Sequence, residues 1–340
     1  MSKTDENKKY VTLENVRVSY LKKNDTIHIT TTDPDVQAGG FHLTLNKGTQ
    51  TEETLRDLLS EQGVIRDDVL ISATATDSFA SSAGLGFSSK GEGRIITLAS
   101  SQGGTGKTSV ALALAAAVRK TGATAIIVDA DIRNGQLSYY VSQATPTMLN
   151  YYLSDEKTIH ALRKTIIHDN SLDIDVVLSP KRSDRKADLL SSQFYVDMLA
   201  NLKANYEFVF VDTGITYLDE TFPSIVNISD AVLYVADLDR NPLPHLFRWK
   251  KELEEDLNGL PDRRFNLNQV GLIANMTLPG QFLGKELIEK YFSEITILAA
   301  LGTELAVKRA SVTTELAKAY KAKNQFNSSI KKVASILTKE

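Results

Sequence analysis

A glycine-rich run separates an apolar stretch from an alanine-rich one, "LASSQGGTGKTSVALALAAAV" over residues 98–118. Gly103, Gly104 and Gly106 permit a tight loop whose backbone N–H groups converge. Converging N–H groups suit phosphate oxygens, and a helix over 107–119 aims its N-terminal dipole at the same oxygens. Lys107 offers a positive charge to the β- and γ-phosphates, and Thr108 offers a hydroxyl to Mg²⁺. Gln102, Thr105 and Ser109 complete the expected nucleotide contacts. A strict G-x-x-x-x-G-K-T pattern is not met, because Ser101 stands where its first glycine belongs.

Two acidic strand ends accompany the loop. "IIVDADIRNG" puts Asp129 at the end of an apolar run, with Asp131 two residues on. "YEFVFVDTG" ends in Asp212, followed by Gly214. Ligands of open α/β sheets bind at the carboxyl ends of strands. Neighbouring carboxylates repel unless Mg²⁺, a lysine or water compensates. Asp129 is therefore expected to hold the metal's water shell, and Asp131 to orient or deprotonate an attacking water. Asp212 is expected to hydrogen-bond metal-bound water and Thr108. The expected catalytic pair is Lys107 and Asp131, the metal set Thr108, Asp129 and Asp212, and the cofactors ATP and Mg²⁺.

These residues need a parallel sheet to position them. "RIITLAS", "TAIIVDAD", "IDVVLSP", "YEFVFVDTG", "AVLYVADLD", "QVGLIANM" and "EITILAAL" are short apolar runs separated by helical patterning. Continuous apolarity marks strands buried on both faces. The predicted fold over 94–340 is a three-layer α/β P-loop domain with a mostly parallel sheet. Residues 77–93, "DSFASSAGLGFSSKGEG", have the composition of a flexible linker. Residues 1–76 form a smaller α+β module, with strands expected in "VTLENVRVSY", "DTIHITT", "FHLTLNK" and "DVLISATA" and a helix over 51–63. Part of it, "GGFHLTLNKGTQTEETLRDLLSEQGV", resembles a ubiquitin-like β-grasp; an unspecialised α+β adaptor is the other reading.

The 340 residues carry a formal net charge of −3, so nothing overall draws the chain to nucleic acid or anionic lipid. Without cysteine, disulfides and thiolate metal sites are excluded. The start "MSKTDENKKY" lacks the apolar core of a signal peptide. No run approaches the roughly 20 apolar residues of a membrane helix. A cytoplasmic protein is expected, with peripheral attachment at the inner face of the membrane left open.

The three motifs together resemble the deviant-Walker-A P-loop ATPases: MinD, ParA, the flagellar regulator FlhG and the TadZ/CpaE proteins of Tad pili. "QGGTGKT" matches their K-G-G-x-G-K-T loop, "DADIRNG" their second acidic motif and "VFVDTG" their third. "GLIANM" is similar to the strand that ends in their adenine-binding asparagine, which implies that role for Asn275. "TPTMLNYYLSDEKTI" resembles a stretch of CpaE-like and MinD-like members, making TadZ/CpaE-like the nearest pattern. The resemblance implies an ATP-dependent homodimer acting as a localisation or assembly factor for a pilus or secretion apparatus, with slow or partner-dependent hydrolysis. A protein partner is expected through residues 1–76. The alternatives are a ParA-like DNA partition ATPase and a non-hydrolysing adaptor.

Three departures bear on that reading. The family's signature lysine falls at Gln102, which brings no charge to a partner's phosphates; Arg133, Lys90 and Arg94 are candidate replacements. Thr213-Gly214-Ile215 replaces a proline-containing switch, and "LAALGTELAVKRA" replaces a late base-contacting loop. Capsule tyrosine kinases share a related P-loop and a "VDAD-x-R" motif, but the tail "KNQFNSSIKKVASILTKE" has no tyrosine cluster. Phe326, Ile330, Val333 and Leu337 form an amphipathic stripe, expected to pack as the final helix, with membrane contact the other possibility. Lys308, Arg309, Lys318, Lys321 and Lys323 form a late basic run for possible DNA contact.

Overall fold

The computed structural model describes strand residues 9–11, 17–21, 26–31, 41–46 and 69–71, and residues 93–338 except 133, 142, 182, 216–219, 238–241, 278–294 and 314. The chain divides into two compact units, Met1–Thr76 and Asp77–Glu340. The linker expected over 77–92 and the helix expected over 51–63 lie outside the described residues, as do Lys90 and Arg133.

In the first unit, β1 (Lys9–Val11) pairs in parallel with β5 (Val69–Ile71). The strands β2 (Arg17–Leu21), β3 (Thr26–Thr31) and β4 (Phe41–Asn46) form an antiparallel meander. "VTLENVRVSY", read as one strand, is thus divided between two sheets: Val11 pairs with Ile71, and Arg17 with Thr30.

The second unit holds an eight-stranded sheet in the order β13-β12-β11-β6-β10-β7-β9-β8. Its strands are β6 (Arg94–Ala99), β7 (Ala125–Asp129), β8 (Ile167–Asp169), β9 (Ile174–Val177), β10 (Phe208–Asp212), β11 (Ala231–Asp237), β12 (Val270–Thr277) and β13 (Thr296–Gly302). All neighbours run parallel except β8, a short antiparallel edge strand that the apolar pattern did not reveal.

Alternation along the strands assigns two faces. Ile96, Leu98, Phe208 and Phe210 point into one core with α1 (Lys107–Arg119) and α9 (Gln325–Thr338). That layer also receives α7 (Leu305–Thr313) and α8 (Leu316–Ala319). Ile95, Val209 and Val211 point the other way, where α2 (Met148–Tyr152), α3 (Ile159–Arg163), α4 (Ser192–Lys203) and α5 (Phe222–Asn227) contribute to the core. On the same side α6 (Pro242–Asn258) covers Val232, Tyr234 and Leu272. The result is helix, sheet, helix: a three-layer α/β fold.

The stripe Phe326, Ile330, Val333 and Leu337 is at most 3% exposed and belongs to this core. At the amino end of β6, Arg94 Nη1 donates to Leu337 O at 2.6 Å, where a cation favours a helix C-terminus. Arg94 therefore lies a full strand, roughly 17 Å, from the glycine loop at the other end of β6. It is not a replacement for the missing cation within one protomer. Among the described residues, no helix is long and apolar enough to cross a membrane.

Candidate functional site

The glycine loop leaves β6 at Ser100 and enters α1 at Lys107. Gly104 and Gly106 have φ of 76° and 87°, a region that side chains disfavour. Gly106 is the N-cap of α1, and no side chain caps its first turn. The orphan N–H groups of that turn are left for a ligand. Gly103 and Gly104 are exposed, whereas Ser101 and Thr105 are buried.

The loop is held from two neighbouring strands. Ser101 Oγ shares a 2.6 Å hydrogen bond with the Tyr234 hydroxyl on β11. Tyr234 in turn packs on Trp249 of α6, with ring centroids 4.5 Å apart. This explains a serine where the strict pattern has glycine: its hydroxyl anchors the loop. Asn275 at the end of β12 donates from Nδ2 to Thr105 O at 2.8 Å. Neither Tyr234 nor Trp249 was legible as a site residue, because a tyrosine in an apolar run reads as core.

Asp212 and Asp131 lie near Lys107, and Asp129 lies near both carboxylates. β7 and β10 are paired with Asp129 opposite Asp212, so both acids end at the same sheet edge. Asp129 is 1% exposed and accepts backbone N–H bonds from Leu137 and Asp131, each at 3.2 Å. Burial raises its pKa well above the ordinary carboxylate range, and Asp212 and Asp131 push the same way; bonds from Leu137 and Ser179 oppose them. Asp212 is pushed up to about 6, mainly by burial, with Lys107 and a Thr108 hydrogen bond opposing. Lys107 is lowered by burial, against the attraction of Asp212 and Asp131.

Residues 213–215, which follow β10, border the site. Thr213 Oγ1 donates to Leu98 O at 2.7 Å. A Cβ placed on Gly214 would lie 2.9 Å from Asp131 Oδ1, so Asp131 rests directly on this backbone. Ile215 Cδ1 comes within 3.6 Å of the Cβ position of Gly103. Tyr320, whose hydroxyl donates to Ser109 O at 2.7 Å, lies beside the first turn of α1, and the Tyr140 pKa is raised by burial and by Asp212. Gln102 is half-buried, and its N–H donates to Ser100 Oγ at 3.2 Å. Of the other internal tyrosines, Tyr151 is buried, Tyr152 packs edge-on against Phe194 and Tyr139 is 68% exposed.

The arrangement fits Mg²⁺. Asp212 Oδ1 is buried without a hydrogen-bond partner among the described residues, so one acceptor points into the site unsatisfied. No group of three or more His, Cys, Asp or Glu forms an all-protein metal cage among the described residues. Mg²⁺ needs no such cage, because it keeps several waters and takes only one or two carboxylates besides phosphate oxygens. Thr108 and Asp212 would hold such an ion or its waters, with Asp129 behind them. The ion would neutralise charge on the phosphates.

Fold and glycine loop together define a three-layer α/β domain of the P-loop kind. Residues 93–244 match the family model described as AAA domain. Septum site-determining protein MinD of Synechocystis sp. is 30% identical over 121 residues, which span 35% of this chain and 44% of that protein. Tyrosine-protein kinase CpsD of Streptococcus agalactiae is 25% identical over 170 residues, 50% of this chain and 72% of the kinase. A ParA family ATPase from Chlorobium tepidum TLS superposes with a TM-score of 0.58 at 18% identity, over 71% of this chain and 98% of that one. MinD from Pyrococcus horikoshii OT3, complexed with Mg-ADP, gives 0.58 at 19% identity, over 72% and 96%. The two solved structures share the fold of this domain, and the chain spans less than half the length of the Synechocystis MinD that it matches.

Proposed function

We propose that residues 94–340 bind Mg-ATP and act as a nucleotide-switched ATPase that positions other molecules. The observation that carries this is the meeting of the glycine loop, Lys107 and the unsatisfied Asp212 carboxylate at one sheet edge. The similarity to MinD and ParA proteins supports a localisation or partition role, ParA-like DNA partition included. Nothing among these relatives speaks specifically for a pilus or secretion apparatus. Asp131, resting on Gly214, is in place to couple the water-activating acid to the switch backbone. Because Gln102 brings no cation to a partner's phosphates, hydrolysis by the protein alone is slow, below about 1 s⁻¹.

Light scattering after size-exclusion chromatography, in the ligand-free, Mg-ADP and Mg-ATP states, tests the switch. A dimer present only with Mg-ATP, and lost in Lys107→Ala, supports it. An unchanged mass despite measured ATP binding rejects self-dimerisation as the switch. DNA retained only with ATP favours the partition form. The CpsD match favours a second reading, phosphoryl transfer to tyrosine. Phosphotyrosine on the purified chain after incubation with Mg-ATP, absent in Lys107→Ala, would select that reading.

A further inference from the structure

Asn275 stands where the family resemblance implies a base-reading residue, yet its side chain is turned to the phosphate loop. Nδ2 donates to Thr105 O at 2.8 Å, and Asn275 and Thr105 are 5% and 1% exposed. The strand end is bent to allow this. Pairing of β12 with β13 shifts register between Ala274 and Thr277, and Met276 has φ of 57°, a left-handed conformation that methionine avoids. Backbone strain of this kind persists only where the surroundings impose it. Those surroundings are the loop itself. A Cβ on Gly106 would lie 2.5 Å from Asn275 Nδ2 and 3.7 Å from Met276 Cε.

We propose that Asn275 is a positioning residue for the phosphate cradle. The peptide between Thr105 and Gly106 is planar and trans, so its C=O and N–H point in opposite directions. Holding the Thr105 carbonyl on Asn275 turns the Gly106 N–H the other way, into the concave side of the loop. With Ser101 held by Tyr234, the loop is fixed near both ends before any ligand arrives. Pre-set donors bind phosphate without the cost of ordering the loop. Asn275 thereby contributes to affinity for the polyphosphate, whatever base it carries.

This rests on the nucleotide-site reading, and the test separates the two. Calorimetry measures binding of Mg-ATP, Mg-GTP and inorganic tripolyphosphate with Mg²⁺ to the full chain and to Asn275→Leu, which keeps the volume and removes the donor. Hydrogen exchange of the peptide covering 101–108 is followed in both without ligand. The expected result is a loss of about tenfold for all three ligands, an unchanged ATP-to-GTP ratio and faster exchange in the variant. A collapsed ATP-to-GTP ratio with tripolyphosphate affinity intact is the behaviour of a base reader and overturns the proposal. Unchanged exchange over 101–108 also overturns it. If the wild-type chain binds none of the three ligands, the nucleotide reading fails, and the exchange result still decides whether Asn275 holds the loop.

Discussion

Replacing Asp212 by asparagine should stabilise the ligand-free protein while removing its response to Mg²⁺. Asp212 is 2% exposed, and its pKa of about 6 stands some two units above the ordinary 3.8. Between those values the folded chain holds a proton that the unfolded chain has released. Stability therefore falls as pH rises from about 4 to 6, and the loss is complete at neutral pH. Two units correspond to about 3 kcal/mol. Asparagine is nearly the same shape, can still accept from Thr108 and carries no charge. For a domain of this size about 2 °C accompanies each kcal/mol, so the variant should melt about 6 °C higher at pH 7.5. At pH 4 the difference should shrink towards zero. Trp249 is the chain's one tryptophan and is 2% exposed, so its fluorescence reports unfolding of this unit. The shift produced by Mg-ATP in the wild type should be larger at pH 7.5 than at pH 5, and small in the variant. A variant that melts at or below the wild-type temperature at pH 7.5, with the same pH dependence, would refute the reasoning.

Gly214→Ala should press its methyl on Asp131, lowering single-turnover hydrolysis at least tenfold while calorimetry shows Mg-ATP affinity nearly unchanged. Gly106→Ala meets both a left-handed φ and the Asn275 amide, so it should weaken Mg-ATP binding and lower the melting temperature together. Ile330→Ala opens a cavity beneath α9, where Ile330 is 2% exposed, and should cost about 2–5 kcal/mol in denaturant titrations. The same substitution should leave binding to anionic vesicles unaltered, because the stripe is already buried in the core.

Seven of the eight strands in the larger unit were legible because each is an apolar run; six of them are buried almost throughout, and β13, at the sheet edge, is half-buried over residues 296–300. β8 was not: "IHD" is three residues long, and His168 in its middle is exposed. The helix over 107–119 followed from its alanine and leucine content after a glycine loop. Donor-bearing residues were visible because phosphate chemistry demands a particular spacing. The residues that hold the loop were not, because Tyr234 and Asn275 come from strands far off in sequence and contact it only once β6, β11 and β12 lie side by side. Arg94 shows the reverse case. Its charge made it a candidate for the missing cation, but strand direction sends it to the opposite edge, onto Leu337. Likewise, the periodicity of α9 displayed an apolar stripe without saying whether protein or lipid covers it.

The most direct measurement is calorimetric titration of ATP into the full chain and into Lys107→Ala, with and without Mg²⁺. One saturable site per chain is expected, weakened at least tenfold when Mg²⁺ is removed and lost when Lys107 is replaced. Absence of binding in the wild type, or binding that survives equally in Lys107→Ala, would contradict this expectation.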